Sequence, residues 1–224
     1  MRLVAHRGFA DRYPENTVRA FEDAATVADW IELDVRRCES GELVVFHDDR
    51  LDRLTGASGR VAETPWETLR TLDVLDSGEE VPVLGDALAA IPASVGVNVE
   101  LKERGLSADA LAIAEEVGND VVVSSFDAET LREVREADSS VSLAFITREA
   151  TGAVETAREL GCEFLHPHFE ACLDAEDDAG TGLVAQAHDA GLEVNAWTVK
   201  TPEEADALRA VGVDGLIADS PDVR

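Results

Sequence analysis

The sequence predicts an α/β protein built as a TIM-type (β/α)8 barrel, and two observations carry that expectation. From residue 86 onward the chain is rhythmic. Helical segments are followed by Gly118, Gly161, Gly191 and Gly212, the residue suited to a left-handed helix end, and apolar runs come next at 121 to 123, 163 to 165, 192 to 197 and 213 to 218. With the runs at 3 to 5, 30 to 35, 43 to 46, 95 to 101 and 141 to 146, nine strand-like stretches alternate with helices, which argues a parallel sheet. The count favours a closed eight-stranded barrel with one extra strand. An open doubly wound sheet is the alternative, and no G-x-G-x-x-G follows the first strand to support it. A single barrel domain spanning residues 1–224 is expected, with residues 49–84 as a small insertion after the third strand.

In chain order, Leu3-Val4-Ala5 opens the first strand and stops at His6-Arg7-Gly8. Pro14-Glu15-Asn16-Thr17 then starts a helix whose positions Val18, Phe21, Ala25 and Ala28 follow helical spacing. In the next strand Glu32 and Asp34 stand two apart, so their carboxylates face one side. Burying both costs several kcal/mol unless a positive group, most simply a divalent cation, sits between them. The run Leu43 to Phe46 ends in His47-Asp48, placing an imidazole at the tip of the neighbouring strand. This combination reads as a metal site beside an acid/base group. The connection from Val35 to Glu42, with Ser40-Gly41 as a turn, is too short for a crossover helix, so it either returns extended or pairs as a hairpin.

Residues 49–84 are rich in charge, Gly and Thr, and Thr64-Pro65-Trp66-Glu67 reads as a capping box with proline at the first helical position. The segment is either packed over one end of the barrel or an ordinary long connection. Thr201-Pro202-Glu203-Glu204 is a second box, opening the last long helix.

Composition narrows the function classes. The net charge is −28, and Lys102 and Lys200 are the only lysines. Such acid density repels nucleic acid and anionic membranes, and it destabilises a compact state unless counterions screen it, so a salt-rich cytoplasm is the expected setting. No run approaches a membrane span, and Met1-Arg2-Leu3 leads straight into a strand, so no secretory signal is expected. Cys38, Cys162 and Cys172 have no metal-type spacing and are expected to be reduced thiols.

In a barrel, the residues at the carboxyl ends of the strands share one mouth. Those ends hold His6-Arg7, Glu32, Asp34, His47, Glu100, Lys102, Phe126, His166, Asn195, Trp197 and Asp219. Three carboxylates, two histidines, an arginine and a lysine at the first of these ends suit phosphoryl chemistry. Either histidine taken alone is as well read as structural, and shared placement favours catalysis. Glu15 is either a first-turn helix acid or a supporting neighbour of the site. Trp197 and, more weakly, Phe126 read as walls for substrate rather than plain core. His166 and His168 read as structural, lacking an evident carboxylate partner, and His188, beside Asp189, as solvated.

His6-Arg7-Gly8, Pro14-Glu15-Asn16-Thr17, Ile31 to Val35, Val45 to Asp48, Glu100-Leu101-Lys102, Trp197-Thr198-Val199 and Gly212 to Ile217 together resemble the glycerophosphodiester phosphodiesterase family, in order and over nearly the whole chain. The resemblance implies a barrel enzyme that hydrolyses small-molecule glycerophosphodiesters to glycerol 3-phosphate and an alcohol, using one divalent cation, Mg or Ca. It implies Glu32, Asp34 and Glu100 as metal ligands, His6 and His47 as the acid/base pair, and Arg7 and Lys102 as phosphate holders. The rivals are a relative acting on intact lipid, which the acidity disfavours, and a non-catalytic phosphate- or metal-binding barrel.

Overall fold

The structure, a computed structural model, describes residues 1–173 and 182–224. Its strands are β1 (Arg2–His6), β2 (Trp30–Arg37), β3 (Leu43–Val45), β4 (Gly96–Leu101), β5 (Val121–Ser125), β6 (Ser142–Thr147), β7 (Phe164–Pro167), β8 (Glu193–Val199) and β9 (Gly215–Ala218). All but β3 run parallel in the order β1-β9-β8-β7-β6-β5-β4-β2, and β1 pairs back onto β2. The sheet is therefore a closed eight-stranded barrel, as the alternation predicts. The ninth strand is β3, antiparallel on β2 with Val35 opposite Val45 and Arg37 opposite Leu43. The short connection is thus a hairpin, the kind of return that joins antiparallel neighbours with few residues.

The barrel is clothed by α1 (Val18–Ala24), α3 (Leu84–Ala90), α4 (Ser107–Ala114), α5 (Ala128–Ala137), α6 (Ala153–Glu159), α8 (Leu183–Asp189) and α9 (Pro202–Val211), while α2 (Trp66–Leu69) and α7 (Phe169–Leu173) are short. β4 is buried along its whole length, as a strand covered on both faces must be. Among the described residues no helix is long and apolar enough to cross a membrane.

Helix ends follow the sequence with two corrections. Gly161, Gly191 and Gly212 take left-handed φ values of 67°, 82° and 87°, but Gly118 lies outside that region, because α4 has already ended at Ala114. Thr201 caps α9 through a complete capping box with Glu204. Thr64 caps nothing of the kind. The residue before a proline is pushed into extended backbone, and Thr64, at φ −118° and ψ 124°, closes a 3-10 turn instead, so α2 begins one residue later with Pro65 at its cap. The Trp66 N–H donates to Ser40 Oγ at 2.9 Å.

Residues 49–84 gather a hydrophobic cluster of their own. Leu51, Leu54, Val61, Leu69, Val74 and Val81 pack against Val44 and Phe46 on and beside β3. That packing carries Arg53 to the rim of the barrel, and α3 then leads the chain back to β4.

Candidate active site

Register places the acidic side chains. Along β2, Glu32 lies beside His6 of β1 and Asn98 of β4, while Asp34 lies beside Glu100. Neighbouring strands stand about 4.8 Å apart, so residues in register on one face are lateral neighbours. Glu32, Asp34 and Glu100 consequently bring one carboxylate oxygen each within 4.8 Å of the others, all three buried.

Three buried carboxylates cannot all carry charge cheaply. Burial, reinforced by Asp34 and Glu100, lifts Glu32 well above the usual carboxylate range, and burial with the charge of Asp34 lifts Glu100 to about 7. Burial would raise Asp34 too, but Lys102 and Arg7 outweigh it and hold Asp34 well below its ordinary value. Lys102 Nζ lies 2.5 Å from Glu100 Oε1 and 3.2 Å from Asp34 Oδ1. Two oxygens of the cluster, Glu32 Oε1 and Asp34 Oδ1, are buried with no hydrogen-bond partner among the described residues, though Lys102 lies 3.2 Å from the second. An oxygen-only set with surplus negative charge and an unmatched acceptor fits a hard divalent cation such as Mg or Ca better than zinc.

After β1 the chain turns sharply, with Arg7, Gly8 and Phe9 at φ 50°, 78° and 67°. Gly8 is required twice over, since a Cβ there would also lie 2.8 Å from Ala20 Cβ. Holding Arg7 left-handed costs on the order of 1–3 kcal/mol. The turn aims the Arg7 N–H at Glu32 Oε2, 2.9 Å away, and sets its guanidinium 3.2 Å from Asp34 and 2.9 Å from Glu15. Asn16, also left-handed at φ 60°, donates from Nδ2 to Asp34 Oδ2 at 2.8 Å.

Each histidine has a carboxylate behind it. His6 Nδ1 lies 2.5 Å from Asp219 Oδ1, and His47 Nδ1 lies 2.6 Å from Asp48 Oδ1. Burial would raise Asp219, but the hydrogen bond and charge of His6, with Lys200, bring it below its ordinary value. Arg53 and then His47 pull Asp48 down to about 2 against partial burial. Both carboxylates are thus acceptors, so Nδ1 is a donor in each ring, and His6 turns Nε2 toward Glu32 Oε2, 4.0 Å away. Burial lowers His47, with Asp34 only partly opposing, which favours the neutral ring.

Both histidines line a cavity of about 430 Å³ together with Arg7, Glu32, Glu100 and Lys102. Phe126 and Trp197 also line it, meeting edge to face at 5.4 Å, and the Trp197 Nε1–H donates to the His166 carbonyl at 2.8 Å. Every predicted site residue is therefore in or directly against this one place.

Residues 6–223 match the model of the glycerophosphoryl diester phosphodiesterase family. The chain belongs to that family. A glycerophosphodiester phosphodiesterase of Caldanaerobacter subterraneus is 30% identical over 238 residues, covering 98% of this chain and 94% of its own. The YhdW protein of Bacillus subtilis is 33% identical over 242 residues, covering 99% and 96%. Of solved structures, an Oleispira antarctica phosphodiesterase in complex with its product sn-glycerol-3-phosphate matches with a TM-score of 0.87 at 28% identity, over 99% of this chain and 94% of that one. A Thermotoga maritima glycerophosphodiester phosphodiesterase matches at 0.84 and 27%, over 100% and 95%.

Within this family member, Glu15 takes the supporting one of its two expected roles, and Asn16 and Asp219 join it in supporting the cluster. Glu15 precedes α1 and is not a first-turn acid; it accepts from Arg7 and from both terminal nitrogens of Arg53. The signals for Asn16 and Asp219 were present, one in the Pro-Glu-Asn-Thr turn and one at the last strand end, but their partners were not. His166 also lines the cavity, buried and pushed down to about 3 by burial, with Nε2 accepting from Asn195 at 3.0 Å. His168 does have a carboxylate neighbour, Glu170 at 3.5 Å, and His188 pairs with Asp214 at 2.9 Å rather than with Asp189.

Proposed function

We propose that the chain hydrolyses glycerophosphodiesters to glycerol 3-phosphate and an alcohol, with one divalent cation, Mg or Ca, held by Glu32, Asp34 and Glu100. The observation that carries this reading is the buried carboxylate cluster with its oxygens within 4.8 Å of one another, sharing a cavity with two carboxylate-backed histidines. When bound, the cation supplies positive charge to a phosphoryl oxygen.

The chain's own residues do the rest. Arg7 and Lys102 are fixed in place by Glu15, Asp34 and Glu100, and so offer two preorganised positive charges to the phosphate as negative charge gathers on it. With Nδ1 committed to Asp219 or Asp48, each histidine presents Nε2 for proton transfer. One takes a proton from the attacking water as its oxygen bonds to phosphorus. The other, protonated on both ring nitrogens for this step, gives its Nε2 proton to the head-group oxygen as the bond from phosphorus to that oxygen breaks, so a neutral alcohol leaves and glycerol 3-phosphate remains. Trp197 and Phe126 wall the substrate's carbon skeleton, and Glu15 keeps Arg7 aimed at the site.

The test is release of glycerol 3-phosphate from glycerophosphocholine and glycerophosphoethanolamine, with chelator and after restoring Mg or Ca. The net charge of −28 suits work in a salt-rich cytoplasm, so the assay is run across KCl concentrations. Activity is expected to vanish in chelator and return with the ion. His47→Ala is expected to lower kcat by about 10²–10⁴ while the circular dichroism spectrum is unchanged. Full turnover without a divalent ion, or in the His47→Ala protein, would refute the reading.

A further inference from the structure

We propose that Arg148 reads the leaving alcohol and makes glycerophosphodiesters whose alcohol carries an anionic group, such as a phosphate, better substrates than those ending in a quaternary ammonium. This rests on the hydrolytic function proposed above and adds the substrate class.

Arg148 follows β6 and lines the same cavity as the carboxylate cluster. Its guanidinium lies 4.8 Å from the centre of the Trp197 ring and 5.7 Å from that of Phe126. Lys102 Nζ lies 6.0 Å from the centre of the same Phe126 ring. Phe126 is therefore a shared neighbour of the lysine assigned to the phosphate and of Arg148, in the same cavity wall. A group attached to a phosphate at Lys102 and extending along this wall reaches Arg148 next.

The other cations of the cavity are already matched. Arg7 is paired with Glu15 and Asp34, Lys102 with Glu100 and Asp34, and Lys200 with Asp219 at 3.4 Å. Arg148 has no carboxylate partner among the described residues, in a chain with 47 acidic and 19 basic residues. An arginine unmatched among the described residues amid such an excess of acid, at the edge of a substrate cavity, is a charge available to a ligand.

Its placement on the rings also sets the sign of that ligand. A quaternary ammonium would seek the faces of Trp197 and Phe126, but a cation already covers them, so it would lose the rings and meet like charge. A guanidinium lying over a ring keeps its N–H groups directed outward in its own plane, where they form the fork that grips phosphate or carboxylate.

The experiment measures kcat and KM of the full chain, loaded with Mg or Ca, for glycerophosphoinositol 4-phosphate, glycerophosphoinositol and glycerophosphocholine. Wild type is compared with Arg148→Gln and Arg148→Lys. The expected order for wild type is anionic, then neutral, then cationic alcohol. Arg148→Gln is expected to cut the ratio of kcat/KM between the phosphorylated and plain inositol substrates about tenfold to a hundredfold, the range of one charge-assisted hydrogen bond. The loss should fall on KM, and Arg148→Lys should restore part of it. An unchanged ratio, a uniform fall across all three substrates, or a wild-type preference for glycerophosphocholine would overturn the proposal while leaving the hydrolase standing. A wild type that cleaves none of the three would instead bring down the hydrolytic reading, and this one with it.

Discussion

His6 Nδ1 sits 2.5 Å from Asp219 Oδ1, a pair that ties the first strand of the barrel to the end of the last. The contact exists because β1 and β9 are neighbours in the closed barrel, with Ala5 beside Ala218. It fixes which ring nitrogen of His6 faces the cavity and places a negative charge behind any imidazolium that forms. Asp219→Asn keeps the shape and removes that charge. It should lower kcat about tenfold to a hundredfold with little change in KM, since a hydrogen bond to a charged group is worth about 1.5–3 kcal/mol. Steady-state kinetics on one diester checks this, and an unaltered kcat would reduce Asp219 to a structural neighbour.

Proton and cation compete for the carboxylate cluster. Glu100 is raised to about 7 by burial and by Asp34, and Glu32 is raised well above its ordinary value as well. Below about 7 Glu100 holds a proton that a divalent ion must displace, and the raised Glu32 adds to that competition. Apparent affinity for Mg or Ca should therefore fall about tenfold or more for each pH unit below about 7. Calorimetry in two buffers of different ionisation heat would register proton release at mildly acid pH. Affinity independent of pH across this range would mean that the ion binds elsewhere.

Much of this site was readable before any fold was known, and the reason is geometric. Glu32 with Asp34, and Glu100 with Lys102, alternate within single strands, so each pair's shared face follows from a period of two. His6 ends a barrel strand, which is enough to bring it to the rim, whereas His47 follows β3, which runs antiparallel on β2 outside the closed barrel, so the strand-end rule does not account for its place. Contacts between strands were not readable, because they depend on register. Nothing local in Asp219 points to His6, and nothing in Arg53 points to Glu15. The hairpin into β3 was equally open, since its few residues fit an extended return as well as an antiparallel one. The helix start at Thr64 was misjudged because proline's effect on the preceding backbone competes with the capping pattern, and in this segment it prevails.

Arg53 offers the sharpest check on whether residues 49–84 serve the chemistry. Its guanidinium donates to Glu15 at 2.7 and 2.9 Å and to Asp48 at 2.7 and 3.0 Å, so one side chain braces both the partner of Arg7 and the partner of His47. Arg53→Ala should release both at once. Because the side chain is 47% exposed, solvent screens the pairs and the stability loss should be only about 1 kcal/mol. Catalysis should suffer more. Loss of alignment at two site residues is expected to lower kcat/KM about tenfold to a hundredfold, since small misplacements of positioned groups carry rate penalties of this size. Arg53→Lys, a single point charge, can brace Glu15 or Asp48 but lacks the planar fork that spans both, so it should fall between the two. Urea unfolding alongside kinetics separates the effects. A variant that loses stability and activity in proportion would mark the segment as scaffold, whereas a small stability change with a large kinetic one would make it part of the working site.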